Sequence, residues 1–401
     1  MATIKIGLVG CGGRGGGAAW NALNNEATKD VKLVAVADAF ENRANNFAQQ
    51  ISKDYPEQTD LPPEHRFVGL DCCEQLLLHS DCDVVLLCQP PGFRPRAFKA
   101  AIDSGKHVFA EKPVAVDLPG VRIFMDANAK AKQTRQVVLV GHHLRFEQKH
   151  FEPIKMVHDG VIGDVLYSRI FFNTNGIWNR QRRADMTEMQ FQVNNWYHFN
   201  WLSGDHIVEQ HVHDIDVMNW FMKDRHPVSA NGMGGRMLRE KNTSEIFDYH
   251  CVEYDYGNGV HGFSACRQMP NCWDSFSEHV YGTKGHLDID GHGISRLYVN
   301  GKDPQIWQRN TDGHQDEMDV FFDAIANGKE FNNGDIAAAS TLTAVLGRMA
   351  TYSGKVVTWN DAMNSQLDTF PKVLAWDADP GPKPDANGNY PCAVPGVTTA
   401  W

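Results

Sequence analysis

The stretch "IKIGLVGCGGRGGGAAW" (residues 4–20) limits the possible folds of this chain more than any other. An apolar strand runs into glycines and then into a helix-like segment, with Gly10, Gly12 and Gly15 spaced as G-x-G-x-x-G. In that order the first glycine makes a tight turn, the second admits a pyrophosphate to the backbone, and the third lets helix pack on strand. The helix N-terminus, which carries Gly13 and Arg14, would then face the phosphates. A glycine turn alone is weak evidence, because glycine also serves ordinary turns.

The following residues strengthen it. "VKLVAVAD" (31–38) reads as a second buried strand ending in Asp38. An acid about 20 residues past the glycines is where a ribose 2′-hydroxyl binds. A carboxylate there repels the 2′-phosphate of NADP, so NAD is the expected cofactor. A plainer alternative makes Asp38 a cap of the next helix. "CDVVLLCQPP" (82–91), "KHVFAEKP" (106–113) and "QVVLVGHH" (136–143) continue the strands, with helical stretches between them. That alternation predicts a parallel, doubly wound sheet whose C-terminal edge binds ligands. Asp38, Gln89, Pro90, Glu111, Lys112 and His142 fall along that edge with the glycine turn. Lys and Glu are seldom placed at the end of a buried strand without a partner or a task.

A chain of 401 residues accommodates two domains. The expected division is 1–145 for the α/β Rossmann dinucleotide-binding domain, 146–376 for an α+β domain, and 377–401 for a tail rich in proline and glycine. In the second domain "GDVLYSRIFFN", "FDYHCVEYDYGNGVHGFSACRQ" and "EHVYGTKGHLDID" read as strands with turn signals and few helices between. They predict a large, mostly antiparallel open sheet, closed by helices over 316–327 and 335–352. One face of such a sheet is often buried by association, so a homo-oligomer (dimer or tetramer) is expected.

Net charge of −11 and a pI near 5.9 exclude nucleic acid and an acidic membrane surface as partners. The N-terminus is too short and strand-like for a signal peptide, and no apolar run is long enough to span a bilayer. The nine cysteines form no CxxC pair, as in a reduced, cytoplasmic protein.

The chemistry is expected in "SGDHIVEQHVHDIDVMNWFM" (203–222). On one continuous helix His206, Glu209, His213 and Asp216 would share a line, and Glu209 and His213 at i, i+4 could hydrogen-bond. A carboxylate orienting an imidazole is a general-base arrangement. No metal is expected, since His211 and His213 cannot share a helical face and HExxH is absent. Trp196, Tyr197, His198 and Trp201 precede this segment, and aromatic faces suit sugar rings, although most such clusters are core. Arg180, Arg182 and Arg183 read as an exposed basic turn.

Together "GLVGCGGRG", Asp38, "CQPP", "AEKP", "GDHIVEQHVHDID" and "GRMATYSGKVVTW" resemble the glucose-fructose oxidoreductase / inositol dehydrogenase / rhizopine catabolism (Gfo/Idh/MocA) family across nearly the whole chain. The resemblance implies a nicotinamide-dependent enzyme acting on a sugar, glycoside or polyol. It implies Lys112 beside the reacting carbinol and His213 as acid/base, with Glu209 where the family has aspartate and His211 where glycine is common. Arg145, Trp196, His198 and His206 are expected with Lys112, Glu209 and His213 at the substrate. One relative in that family oxidises a glycoside transiently at C3, eliminates the glycosidic bond and returns the hydride, which makes a glycosidase the second reading. A non-catalytic NAD or sugar sensor is the third. The long helix motif also resembles a bacterial subgroup exported by a twin-arginine leader, which leaves the periplasm open if a leader has been removed.

Overall fold

The computed structural model describes residues 3–291, 293–308 and 311–400; Trp401, the last residue of the expected tail, lies outside them. The chain forms two compact units. The first contains β1 (Ile4–Val9), α1 (Gly13–Leu23), β2 (Val31–Asp38), α2 (Glu41–Asp54), β3 (Arg66–Val68), α3 (Cys72–His79), β4 (Val84–Leu87), α4 (Arg94–Asp103), β5 (His107–Ala110), α5 (Leu118–Gln133) and β6 (Val138–Val140). Its strands are all parallel in the order β3-β2-β1-β4-β5-β6. Val84, Val85, Leu86 and Leu87 have no exposed surface, as expected for a central strand covered on both faces. This is the doubly wound sheet that the strand–helix alternation predicts; the three-residue β3 was too short to read from sequence.

The second unit carries α6 (Gln148–His158), β7 (Val165–Thr174), α7 (Glu188–Asn194), α8 (Asn200–Ser203), α9 (His206–Glu209) and α10 (Val212–Phe221). It continues through β8 (Ser229–Gly235), β9 (Tyr249–Asp255), β10 (His261–Gln268), β11 (Ser275–Gly282), β12 (Gly285–Asp290), β13 (Ile294–Val299) and β14 (Gln305–Gln308). After α11 (Gly313–Ala326), which belongs with the first unit, and α12 (Gly334–Ser353), which starts there, come β15 (Val357–Thr358) and α13 (Trp359–Asn364). The nine strands run in the order β14-β13-β12-β11-β7-β10-β9-β8-β15, antiparallel except for the β10/β7 pair. One face is core: Val280, Leu287, Ile289 and Leu297 pack with Ile154, Val157, Val217 and Phe221 of α6 and α10. On the other face Tyr167 packs against Phe263 and stacks on Tyr281, and Phe263 is 46% exposed.

The structure departs from a simple two-part division of the chain. Residues 312–338 belong with the first unit and 116–119 with the second, whereas 146–376 was expected as one piece. Side-chain bonds far apart in sequence account for this. Asn21 of α1 donates to Gln315 of α11 at 3.0 Å, and Glu26 N–H to Asp319 at 2.9 Å. Val138 N–H donates to Phe331 C=O and Val140 N–H to Asn333 Oδ1, so the returning chain covers the open edge of β6.

The described part of the tail, 377–400, has no helix or strand. It is pinned by Tyr390, which is 1% exposed and whose hydroxyl meets Glu188 and Arg182. Among the described residues no helix is long and apolar enough to cross a membrane.

Candidate active site

In the first unit the glycine turn is shaped as the sequence suggests. Gly10 has φ +96°, and a Cβ there would lie 2.7 Å from the Cys88 backbone. A Cβ on Gly15 would lie 1.8 Å from Gly10 C=O, so the helix approaches the turn only because residue 15 is glycine. Gly12 and Gly13 instead face open space, and Gly12 caps α1 without a side-chain bond. Free N–H groups and room above them are what a pyrophosphate needs.

Asp38 accepts from Cys11 N–H at 2.9 Å and from Phe40 N–H at 3.0 Å. It does not cap the next helix, whose N-cap is Phe40. The carboxylate is tied to the glycine turn, and two of its roughly four acceptor positions stay available for a ribose. Gln89 is 8% exposed, and neither atom of its side-chain amide has a hydrogen-bond partner among the described residues. Buried amides are rarely left this way unless a ligand completes them. The residues present therefore fit a dinucleotide.

Arg94, which sequence reasoning missed, is 2% exposed. It donates to Gln89 C=O at 2.5 Å and to Pro113 C=O, joining the two loops that carry Gln89, Pro90 and Lys112. Its position inside an ordinary helix sequence gave no signal. Glu111, 3% exposed, pairs with Arg14 at 3.1 Å. Lys112 follows, half-buried, and the Lys112–Pro113 peptide is cis. His142 is buried past β6, and beside it a Cβ on Gly141 would lie 3.4 Å from both Glu111 Oε2 and Glu317 Oε1. Burial pushes the Glu317 carboxyl up to about 7, against the pull of His314 at 3.5 Å. His314 in turn stacks on His143 at 4.0 Å. The acids at 111 and 317 meet only through the chain's return, so sequence offered no sign of the pair.

In the second unit the expected continuous helix is broken. α9 ends at Glu209, His211 N–H reaches back to His206 C=O, and α10 starts at Val212. The reason lies in side chains drawn inward. His211 is fully buried between Asp214 (3.1 Å) and Ser264 (2.8 Å), and burial lowers its pKa to about 3. Asp216 is 1% exposed and bound to Arg145 and Ser340. His206 is enclosed beside Asp205 and His250. Of the four residues expected on one line, only Glu209 and His213 remain half-buried.

The other expected substrate residues fall in different settings. Arg145 grips Asp216 at 2.6 Å and Asp224 at 2.7 Å, over the Trp220 ring. His198 bonds Trp178 C=O at 2.9 Å, and burial with the nearby Arg239 lowers its pKa to about 4. Trp196 is half-buried against Trp178, whose other contacts include Arg180 at 4.2 Å over the ring. Of the basic turn, Arg182 and Arg183 pair with Glu188 and Asp185.

A buried amide network supports Glu209. Arg239 donates to Gln268 at 2.8 Å, and Gln268 donates to Tyr197 Oη at 3.0 Å and to Gln210 at 2.9 Å. Burial, reinforced by Glu209 and a hydrogen bond to it, holds the Tyr197 phenol well above its usual pKa. The phenol thus stays a donor to the Glu209 carboxylate. Arg239 and Gln268 lie tens of residues from this segment and carried no local signal.

The fold and the glycine-turn cradle define a two-unit protein whose first unit is built as a dinucleotide-binding Rossmann sheet. The pattern of the oxidoreductase family with an NAD-binding Rossmann fold matches residues 4–142, and that of the family's C-terminal alpha/beta domain matches 154–355. The chain belongs to the Gfo/Idh/MocA family. It is 24% identical to an inositol 2-dehydrogenase of Rhizobium meliloti over 87% of this chain and 97% of that protein. It is 28% identical to a glycosyl hydrolase family 109 protein of Streptomyces coelicolor, over 41% of this chain and only 32% of that protein. The fold is shared with an aldose-aldose oxidoreductase from Caulobacter crescentus complexed with glycerol, at TM-score 0.70 and 17% identity over 89% of this chain and 99% of that one.

Proposed function

We propose that the protein is an NAD-dependent oxidoreductase acting on a secondary hydroxyl, or the matching ketone, of a sugar, glycoside or polyol. The observation that carries this reading is the contrast within 203–222. His206, His211 and Asp216 are consumed by the core, while Glu209 and His213 are kept half-open on a built support.

Gly12, Gly13, Asp38 and Gln89 would hold the dinucleotide, and Arg14 with Glu111 would brace the turn beside it. When bound, the nicotinamide supplies the hydride acceptor. His213 takes the hydroxyl proton during oxidation and gives it back during reduction. Lys112 places a cation against the developing alkoxide. Glu209, held by the Tyr197 hydroxyl, orients the histidine as its carboxylate partner. Asp38 favours NAD over NADP. The open face around Tyr167, Phe263 and Tyr281 supports a homo-oligomer, and the unpaired state of all nine cysteines supports a reducing, cytoplasmic setting.

Similarity to glycosyl hydrolase family 109 proteins supports a second reading, in which oxidation is transient and the net reaction is glycoside cleavage. Purified protein would be given NAD and a panel of polyols, sugars and glycosides, with reduced nicotinamide and sugar products followed together. Accumulating reduced nicotinamide with one substrate class establishes the dehydrogenase and names its substrate. Cleaved glycoside without it favours the second reading. No consumption of any substrate leaves a binding protein and overturns both.

A further inference from the structure

Asp205, His206 and His250 meet in the second unit, where α9 begins against β9 and α12. All three are buried, at 0%, 1% and 0% exposure. Asp205 takes φ +70°, just after Gly204 ends α8, and its carboxylate accepts from Phe247 N–H at 3.0 Å and from Tyr352 Oη at 2.6 Å. Two donors on one oxygen therefore hold the carboxylate in place.

The hydrogen bonds decide which nitrogens face that carboxylate. Thr351 Oγ1 carries one hydrogen and has three acceptors in reach: the carbonyls of Gly347 and Arg348, at 3.1 and 3.0 Å, and His250 Nδ1 at 2.9 Å. With that hydrogen on a carbonyl, as is usual for a threonine inside a helix, the oxygen accepts from His250 Nδ1. With Nδ1 carrying the hydrogen, Nε2 of a neutral His250 turns a lone pair toward Asp205 Oδ2 at 3.3 Å. His206 Nε2 lies 3.8 Å from Asp205 Oδ1. Neither Nε2 has a hydrogen-bond partner among the described residues, and the two rings lie edge to face, 4.8 Å apart. One proton on His250 would answer the first contact and leave His206 unanswered. A divalent cation answers both.

We propose that Asp205, His206 and His250 bind a divalent metal ion, zinc by preference, as a structural centre that fixes α9 to β9 and α12. Donor atoms of all three residues lie within 4.8 Å of one another. Two ligands at roughly 2.0–2.1 Å from a tetrahedral zinc stand about 3.3 Å apart, so small rotamer adjustments suffice. Two imidazoles and a carboxylate suit zinc over calcium or magnesium, which prefer all-oxygen sets. Thr351 on His250 and Tyr352 on Asp205 are the outer partners that metal ligands commonly have. Glu209 follows three residues after His206, so the centre would also set the start of the segment that carries it. The inference stands independently of the oxidoreductase reading.

The test is metal content of the full chain, produced in zinc-supplemented medium and passed over a desalting column. About one zinc per chain is expected, because a site this buried acquires its metal during folding. Cobalt-grown protein should show visible d–d bands of an ion held by two imidazoles and a carboxylate. The variants H206Q and H250Q should lose both signals while keeping the wild-type circular dichroism spectrum. If one of them fails to fold, the wild-type stoichiometry and cobalt spectrum still decide. Wild-type protein with metal far below one equivalent after both growth and refolding in zinc would overturn the proposal, as would full zinc content in both variants. The cluster would then be an imidazolium–carboxylate pair that holds a proton.

Discussion

The guanidinium of Arg14, in the first turn after the glycines, lies 3.1 Å from the carboxylate of Glu111, at the end of β5. This pair answers why a glutamate ends a buried strand: it ties the glycine turn to the loop that carries Lys112. Glu111→Gln keeps the shape and removes the charge. With the Arg14 side chain 35% exposed, such an ion pair is worth about 0.2–1 kcal/mol, so NAD affinity should fall by up to about fivefold. Calorimetric titration with NAD checks this, and unchanged affinity would mean the pair only packs.

Lys112→Ala and His213→Ala should each lower kcat by about 100-fold or more while NAD binding stays near wild type, since acid–base groups contribute on that scale. Single-turnover rates measured with the substrate found in the panel test the roles assigned to them. If both variants kept wild-type turnover, those roles would be wrong.

Asp38 should set cofactor choice. Wild-type protein is expected to prefer NAD over NADP by about tenfold or more, and Asp38→Ala should narrow that ratio by weakening NAD and relieving repulsion of the 2′-phosphate. Fluorescence titration with both reduced cofactors gives the ratio directly.

Glu317 makes stability depend on pH in an unusual direction. Its folded pKa is about 7 against an ordinary 4.5, because burial disfavours the charge. A raised acid pKa means the folded state holds a proton the unfolded chain has released. Its contribution is therefore full below pH 4.5 and is lost as pH rises toward 7. Glu317→Gln, which cannot ionise, should raise Tm above that of wild type at pH 8 and match it near pH 5. Scanning calorimetry at both values checks the sign. A wild-type advantage at pH 8 would show that the carboxylate is paired.

The open face of the nine-stranded sheet should hold copies of the chain together. Phe263→Asp places a charge beside Tyr167 and should shift the protein to a smaller species without lowering its helix and strand content. Light scattering after size exclusion reads this, and a wild-type monomer would remove the expectation at once.

The sequence by itself determined what short-range patterns encode. The glycine turn, Asp38 closing β2, the apolar runs at 84–87 and 107–110, and the hairpin turn at 257–259 are each written in consecutive residues. Their conformations follow from steric permission and from strand or helix period, so they were legible, as was the family. Tertiary structure decided what depends on side chains meeting across the chain. A helix period could not foresee that His211 would be drawn to Ser264, and that pull accompanies the break between α9 and α10. Nor could it foresee that residues 312–338 would return to α1 and bring Glu317 beside Glu111. The neighbours of Asp205 lie 45 and 147 residues away, at His250 and Tyr352, and only folding brings them within a hydrogen bond's reach. Burial then raises what each meeting is worth, because in a low-dielectric surrounding a polar group depends on the partner that the fold supplies.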